Sequence, residues 1–196
     1  MIRSFIALEL NDQETIEKIQ SFGKRLISNQ PSIKLVEPQN LHMTVKFLGN
    51  IEESLAPKIY KILKEEINEK IFQDNIYEFK LKGIGQFRKF SVIWIKLIGN
   101  IQFLQNIKDN IESLLNQKLK IEKDKRTQFT PHLTMGRLKP NKINYKNFEN
   151  FKKLLNENKN LEFGPFNIRD VKLKKSVLTP KGPIYYTYKD DGEFKS

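Results

Sequence analysis

The sequence predicts an α+β protein of two pseudo-equivalent lobes, and three observations carry that prediction. Apolar residues recur at helical spacing in four segments, and short runs of alternating or continuous apolar residues between them read as strands. The order helix, histidine-bearing strand, helix then occurs twice, with the two histidines about 90 residues apart, too far for a solenoid repeat. No Pro- or Ser-rich linker parts the copies, so residues 1–196 read as one domain made of two pseudo-duplicated lobes.

Taken in order, Arg3 to Leu10 alternate as a strand, and Asn11 with Glu14 three places on predicts a capping box for a helix carrying Ile16, Ile19, Phe22, Leu26 and Ile27. Lys34 to Val36 and the segment holding His42 read as strands. A helix from about Glu52 to Lys70 places Leu55, Ile59, Leu63 and Ile67 on one face, with Pro57 in its first turns. Tyr77 to Lys82 and Ser91 to Leu97 read as a strand pair, the second expected to be buried on both faces. A third helix carries Ile101, Leu104, Ile107, Ile111, Leu114 and Leu115, and the basic loop KIEKDKRTQ leads to the strand holding His132. A fourth helix with Phe148, Phe151, Leu154 and Leu155 precedes final strands around Phe166 to Leu178 and Ile184 to Tyr188.

Composition narrows the chemistry. A chain of 196 residues with 38% hydrophobic content can bury a sizeable core, and no stretch approaches a membrane span or a signal-peptide pattern, which places the protein in the cytoplasm. The absence of cysteine removes disulfides, thiolate nucleophiles and thiolate metal sites. A net charge of +12 favours an anionic partner, because Lys and Arg gain affinity for phosphates by releasing counterions.

The chain has only 2 histidines, and both stand two places before a threonine: His42 and Thr44 in LHMTVKFLG, His132 and Thr134 in FTPHLTMGR. Strand alternation puts Leu41, Met43, Val45 and Phe47 on one face and His42, Thr44 and Lys46 on the other. In the second copy Phe129, Pro131, Leu133 and Met135 alternate with Thr130, His132, Thr134 and Gly136. Two imidazoles can divide the work of general base and general acid, while two hydroxyls donate to charged oxygens. With no nucleophile or electron carrier at hand, the set suits displacement at phosphorus without a covalent intermediate. With no histidine or cysteine to spare, neither a metal site nor a cofactor is expected.

Two cations are secondary candidates for contact with substrate: Lys46, beside His42 and Thr44, and Arg126, six residues before His132. Arg137 and Lys139 leave the second strand at its far end and read as rim charges. Phe87, Phe90 and the tyrosines Tyr185, Tyr186 and Tyr188 are candidates for stacking on a base, with core packing as the competing role. The segment Gly83-Ile84-Gly85-Gln86-Phe87 lacks a third glycine and reads as a bend or bulge, not a dinucleotide fingerprint.

The paired motifs resemble the 2H phosphoesterase superfamily, and longer stretches resemble its RNA 2′,3′-cyclic phosphodiesterase branch, also called 2′-5′ RNA ligases. The stretches are RSFIALEL, NLHMTVKFLG, LKGIGQF with VIWIKLIG, RTQFTPHLTMGR and SVLTPKGPIYYTY. The resemblance implies a two-lobed LigT-like fold, with antiparallel sheets lining a central cleft and helices outside. It also implies that His42 and His132 form the acid/base pair, that Thr44 and Thr134 bind phosphate, and that Arg126 matches an arginine of the family's pattern. The implied reaction is metal-independent opening of a 2′,3′-cyclic phosphate at an RNA end to a 2′-phosphate, in some members with reversible 2′-5′ joining. The order of acid and base between the two histidines stays open. The chain departs from the family at Arg88, Met43, Met135 and Gly136, which leaves substrate preference unassigned. A monomer is expected. The competing reading is a module that binds RNA or nucleotide phosphate without turnover.

Overall fold

Alternating apolar residues form the first strand, β1 (Ile2–Glu9), whose Ile6 and Leu8 are fully buried on one face. The computed structural model describes residues 1–125, 129–179 and 182–195. Helix α1 (Gln13–Asn29) follows, capped one residue later than expected. The Asp12 carboxylate accepts the Thr15 amide at 2.8 Å, and Glu14 pairs instead with Lys18 at 2.6 Å. Next come β2 (Lys34–Leu35), β3 (His42–Ile51) and α2 (Ala56–Ile62), with Pro57 in its first turn as expected. The chain continues from α2 as a π-helix over Leu63–Phe72.

The second half holds β4 (Tyr77–Phe87), β5 (Val92–Ile98), α3 (Ile101–Leu119), β6 (His132–Arg137) and α4 (Phe148–Glu157). The strand expected around Phe166 to Leu178 divides into β7 (Glu162–Ile168) and β8 (Lys172–Thr179), followed by β9 (Gly182–Tyr188) and β10 (Phe194–Lys195).

Among the described residues the sheet runs β10-β9-β8-β1-β3-β6-β5-β4-β7, with β2 beside β6. Every pairing is antiparallel. The sheet is therefore continuous, its two halves joined where Met43 pairs with Leu133. All four helices pack on one face, over the fully buried Leu8, Met43, Leu133, Ile95 and Leu81. Burying each such side chain contributes about 1.5–3 kcal/mol. Strand β5 is buried on this face alone: Ile93, Ile95 and Leu97 are covered while Lys96 is exposed, because no helix among the described residues packs on the opposite face.

Chain order and position in the fold do not coincide. Helices α1 and α4 cover β4, β6 and β7, with Phe22 of α1 edge-on to Phe163 of β7 at 5.9 Å. Helices α2 and α3 lie over β3 and β8. The strands cross in the same way, β4 adding beside β5, and β8 and β9 beside β1. No helix among the described residues is long and apolar enough to cross a membrane.

Candidate active site

The bridge Met43↔Leu133 decides which residues meet at the centre of the sheet. In an antiparallel ladder the residues flanking a bridged pair face one another, so His42 lies opposite Thr134 and Thr44 opposite His132. Met43 and Leu133 point into the helix-side core, so these four side chains stand on the open face. The two motifs come together as crossed His/Thr pairs.

Each strand then carries a bulge just beyond its threonine. Ile6 and Ala7 of β1 pair with Lys46 and Thr44, leaving Val45 as an extra residue. Ile93 and Trp94 of β5 pair with Gly136 and Thr134, leaving Met135 extra. A bulge reverses the alternation that follows it. On β3 this corrects two expectations: Phe47 is 67% exposed on the open face, and Lys46 is 2% exposed on the helix side. The Lys46 ammonium reaches Asp124 at 3.0 Å, Glu112 at 3.3 Å and the Glu122 carbonyl at 3.0 Å. Lys108 completes the cluster at 2.7 Å from Glu112 and 3.3 Å from Asp124. Burial would raise the Asp124 carboxyl, but the two ammonium groups override it and hold it below its ordinary value. Lys46 is thus a buried anchor for the loop that leads to His132, not a neighbour of the histidines.

On β6 the same reversal turns Gly136 inward, where a Cβ would come within 3.2 Å of the Lys34 carbonyl, and turns Arg137 to the open face. Arg137 is the residue that sequence reasoning misplaced. It is exposed, makes no ion pair among the described residues, and its charge helps to lower the pKa of both His42 and His132. Its motif position, five residues after the histidine, matches that of Phe47 on β3. That equivalence was the available signal, hidden because strict alternation assigns position five to the core. Arg126 lies outside the described residues.

The histidines are held alike. Nδ1–H of His42 donates to the Asn40 carbonyl at 2.6 Å and that of His132 to the Thr130 carbonyl at 2.7 Å, which leaves Nε2 of each ring as the lone-pair nitrogen. Aromatic rings line both. His42 sits 4.9 Å from Phe5 and 5.2 Å edge-on from Tyr185, while His132 sits 5.0 Å edge-on from Phe87 and 5.9 Å from Trp94. Phe87 and Tyr185 therefore belong to the site. Phe90 packs on Phe148 at 5.2 Å, and Tyr188 on Tyr60 at 5.1 Å. Gly85 gives Trp94 its place: a Cβ there would lie 2.2 Å from the indole.

Burial pushes His42 down to about 4, with Lys174 and Arg137 adding to the effect and the Asn40 carbonyl opposing it. Burial also lowers His132, with Arg137 acting in the same sense against the Thr130 carbonyl. Beside His42, burial would raise the Glu9 carboxyl, but ion pairs with Lys172 at 2.7 Å and with Lys174 hold it at about 2. Among the described residues no group of three or more His, Cys, Asp or Glu converges as a metal-ligand set.

Comparison with known proteins supplies the family. Residues 4–191 match the family described as the AKAP7 2′5′ RNA ligase-like domain. An RNA 2′,3′-cyclic phosphodiesterase of Methanocaldococcus jannaschii is 37% identical over 96% of this chain and 99% of the relative. One of Aquifex aeolicus is 31% identical over 94% of each. Among solved structures, TT0787 of Thermus thermophilus superposes with a TM-score of 0.70 at 22% identity, covering 96% of each chain. Apo LigT of E. coli gives 0.68 at 19% identity, covering 96% of this chain and 95% of its own. At those identities the likeness to the solved structures is one of fold. The sequence matches go further, and on them the chain belongs to the AKAP7 2′5′ RNA ligase-like family.

Proposed function

We propose that this protein hydrolyses RNA 2′,3′-cyclic phosphate ends to 2′-phosphates, using His42 and His132 as its acid/base pair and no metal. The observation that carries the reading is the matched tethering of the two imidazoles, each spending Nδ1–H on a backbone carbonyl and keeping Nε2 for chemistry. The names of the relatives point to the same reaction.

In the proposed step one Nε2 takes a proton from water as the water oxygen bonds to phosphorus. The bond from phosphorus to O3′ breaks, and the other Nε2–H protonates O3′. Thr44, Thr134 and Arg137 hold the non-bridging oxygens where charge concentrates. An RNA 5′-hydroxyl in place of water would give a 2′-5′ linkage by the same proton transfers. On this reading the protein is a cytoplasmic monomer, a single domain of two duplicated lobes acting on RNA.

The test is incubation in EDTA with a short RNA ending in a 2′,3′-cyclic phosphate. The expected product is the 2′-phosphate, with His42→Ala and His132→Ala each lowering kcat by about 10²–10⁴ and Arg137→Ala weakening substrate affinity. Turnover that requires added metal would overturn the metal-free mechanism, and turnover indifferent to both histidine variants would overturn the acid/base assignment. RNA binding without turnover would leave a phosphate-binding module.

A further inference from the structure

A cavity opens on the His132 side of the same face. It has a volume of about 200 Å³ and is lined by Lys82, Lys96, Lys159, Asn160, Trp94 and Gly83, among others. Lys96 pairs in register with His132, so the cavity begins one strand away from the proposed chemistry. Its outer wall depends on a bulge. Lys82 and Gly83 stand between the pairs Leu81↔Leu97 and Ile84↔Ile95, and Gly83 adopts φ +88° with its N–H donating to the Leu161 carbonyl at 2.8 Å. The backbone comes so close there that a Cβ on Gly83 would lie 2.7 Å from the Lys159 carbonyl. That contact holds the α4–β7 turn, with Lys159 and Asn160, against the rim.

Charge in the cavity is unbalanced. Lys82 shares Glu162 with Lys80, at 3.7 and 3.9 Å. Lys96 and Lys159 make no ion pair among the described residues. Three ammonium groups thus surround a hollow with one indole wall, a combination of cationic heads and apolar surface suited to an internucleotide phosphate and its ribose or base. Strand spacing puts Lys96 about 5 Å and Lys82 about 10 Å across the sheet from β6, within reach of a nucleotide next to one held at His132.

We infer that this cavity is a subsite for the penultimate nucleotide of the RNA, engaging the phosphate that precedes the terminal cyclic one. The inference rests on the phosphodiesterase reading for its orientation, while its test does not depend on turnover. The protein then recognises a strand, not only an end, and distinguishes oligonucleotides from mononucleotides.

Trp94 is the chain's one tryptophan, so its emission reports binding at the cavity and at His132 alike. The probes are an RNA tetranucleotide with a 3′-phosphate and the corresponding 3′-mononucleotide, neither of which can be turned over by ring opening. In Lys82→Gln/Lys159→Gln the tetranucleotide should bind about 10-fold more weakly, with the salt dependence of its log Kd shallower by about 0.7, and the mononucleotide should bind as before. Equal weakening of both ligands, or unchanged tetranucleotide binding in a variant with normal circular dichroism, would overturn the subsite. A protein that fails to open cyclic phosphates yet shows the expected split in affinity would lose the proposed reaction and keep the subsite.

Discussion

An imidazole tied through Nδ1–H to a backbone carbonyl has one nitrogen left to exchange protons, and its environment decides at what pH it does so. For both histidines the environment disfavours the cation: His42 falls to about 4 and His132 below its ordinary value of 6.5. The base must be neutral and the acid charged, so both limbs of a kcat/KM profile, which report the free protein, should lie on the acid side of about 6.5. The limbs of kcat should lie higher, because a bound phosphate anion favours the imidazolium. A kcat/KM profile with both limbs above pH 7 would contradict the burial account. The crossing of His42 with Thr134 and Thr44 with His132 was half legible: alternation gives each His/Thr pair a shared face, but the register that crosses them is a property of two strands far apart in sequence. Arg137 was illegible for a local reason, since the extra residue at Met135 cannot be told from ordinary strand.

At the scale of the element, the two bulges give each strand two kinds of side chain in succession. His42 and Thr44 face the open side while Lys46, two residues later, anchors the structure behind them. Replacing Lys46 with Met would leave Glu112 and Asp124 with Lys108 alone in a largely buried cluster, and removal of one partner from such a group costs about 3–5 kcal/mol. The expected result is a lower urea midpoint, corresponding to a loss of unfolding free energy of that order. A midpoint within experimental error of the parent would mean that Lys46 is not the anchor. Helix positions were readable because apolar residues recur every three or four places in all four helices. The π-helical stretch of Leu63–Phe72 was not, since its residues keep an ordinary helical pattern. The α1 cap slipped by one residue because Asn11 and Asp12 are both good caps and sequence does not rank them.

Across the whole molecule, burial of one titrating ring becomes a pH dependence of stability. The folded chain takes up the His42 proton only near 4 and the unfolded chain near 6.5, so the unfolded state binds it first and stability falls as pH drops between those values. Glu9 has the opposite charge and a later window: held at about 2 against an ordinary 4.5, it contributes stability that is lost only as pH falls from 4.5 towards 2. Melting temperature followed from pH 7 to 4 should therefore decline less steeply in His42→Asn than in the parent. Parallel curves would show that His42 is not the group responsible. The crossed arrangement of helices and strands has a different consequence. Because β8 and β9 arrive last and close over β1, a polypeptide released before residue 172 exposes the long flank of β1 as a bare row of amide and carbonyl groups. Such a fragment is not half an enzyme but a template for another strand, and an interrupted translation product of this chain should be insoluble.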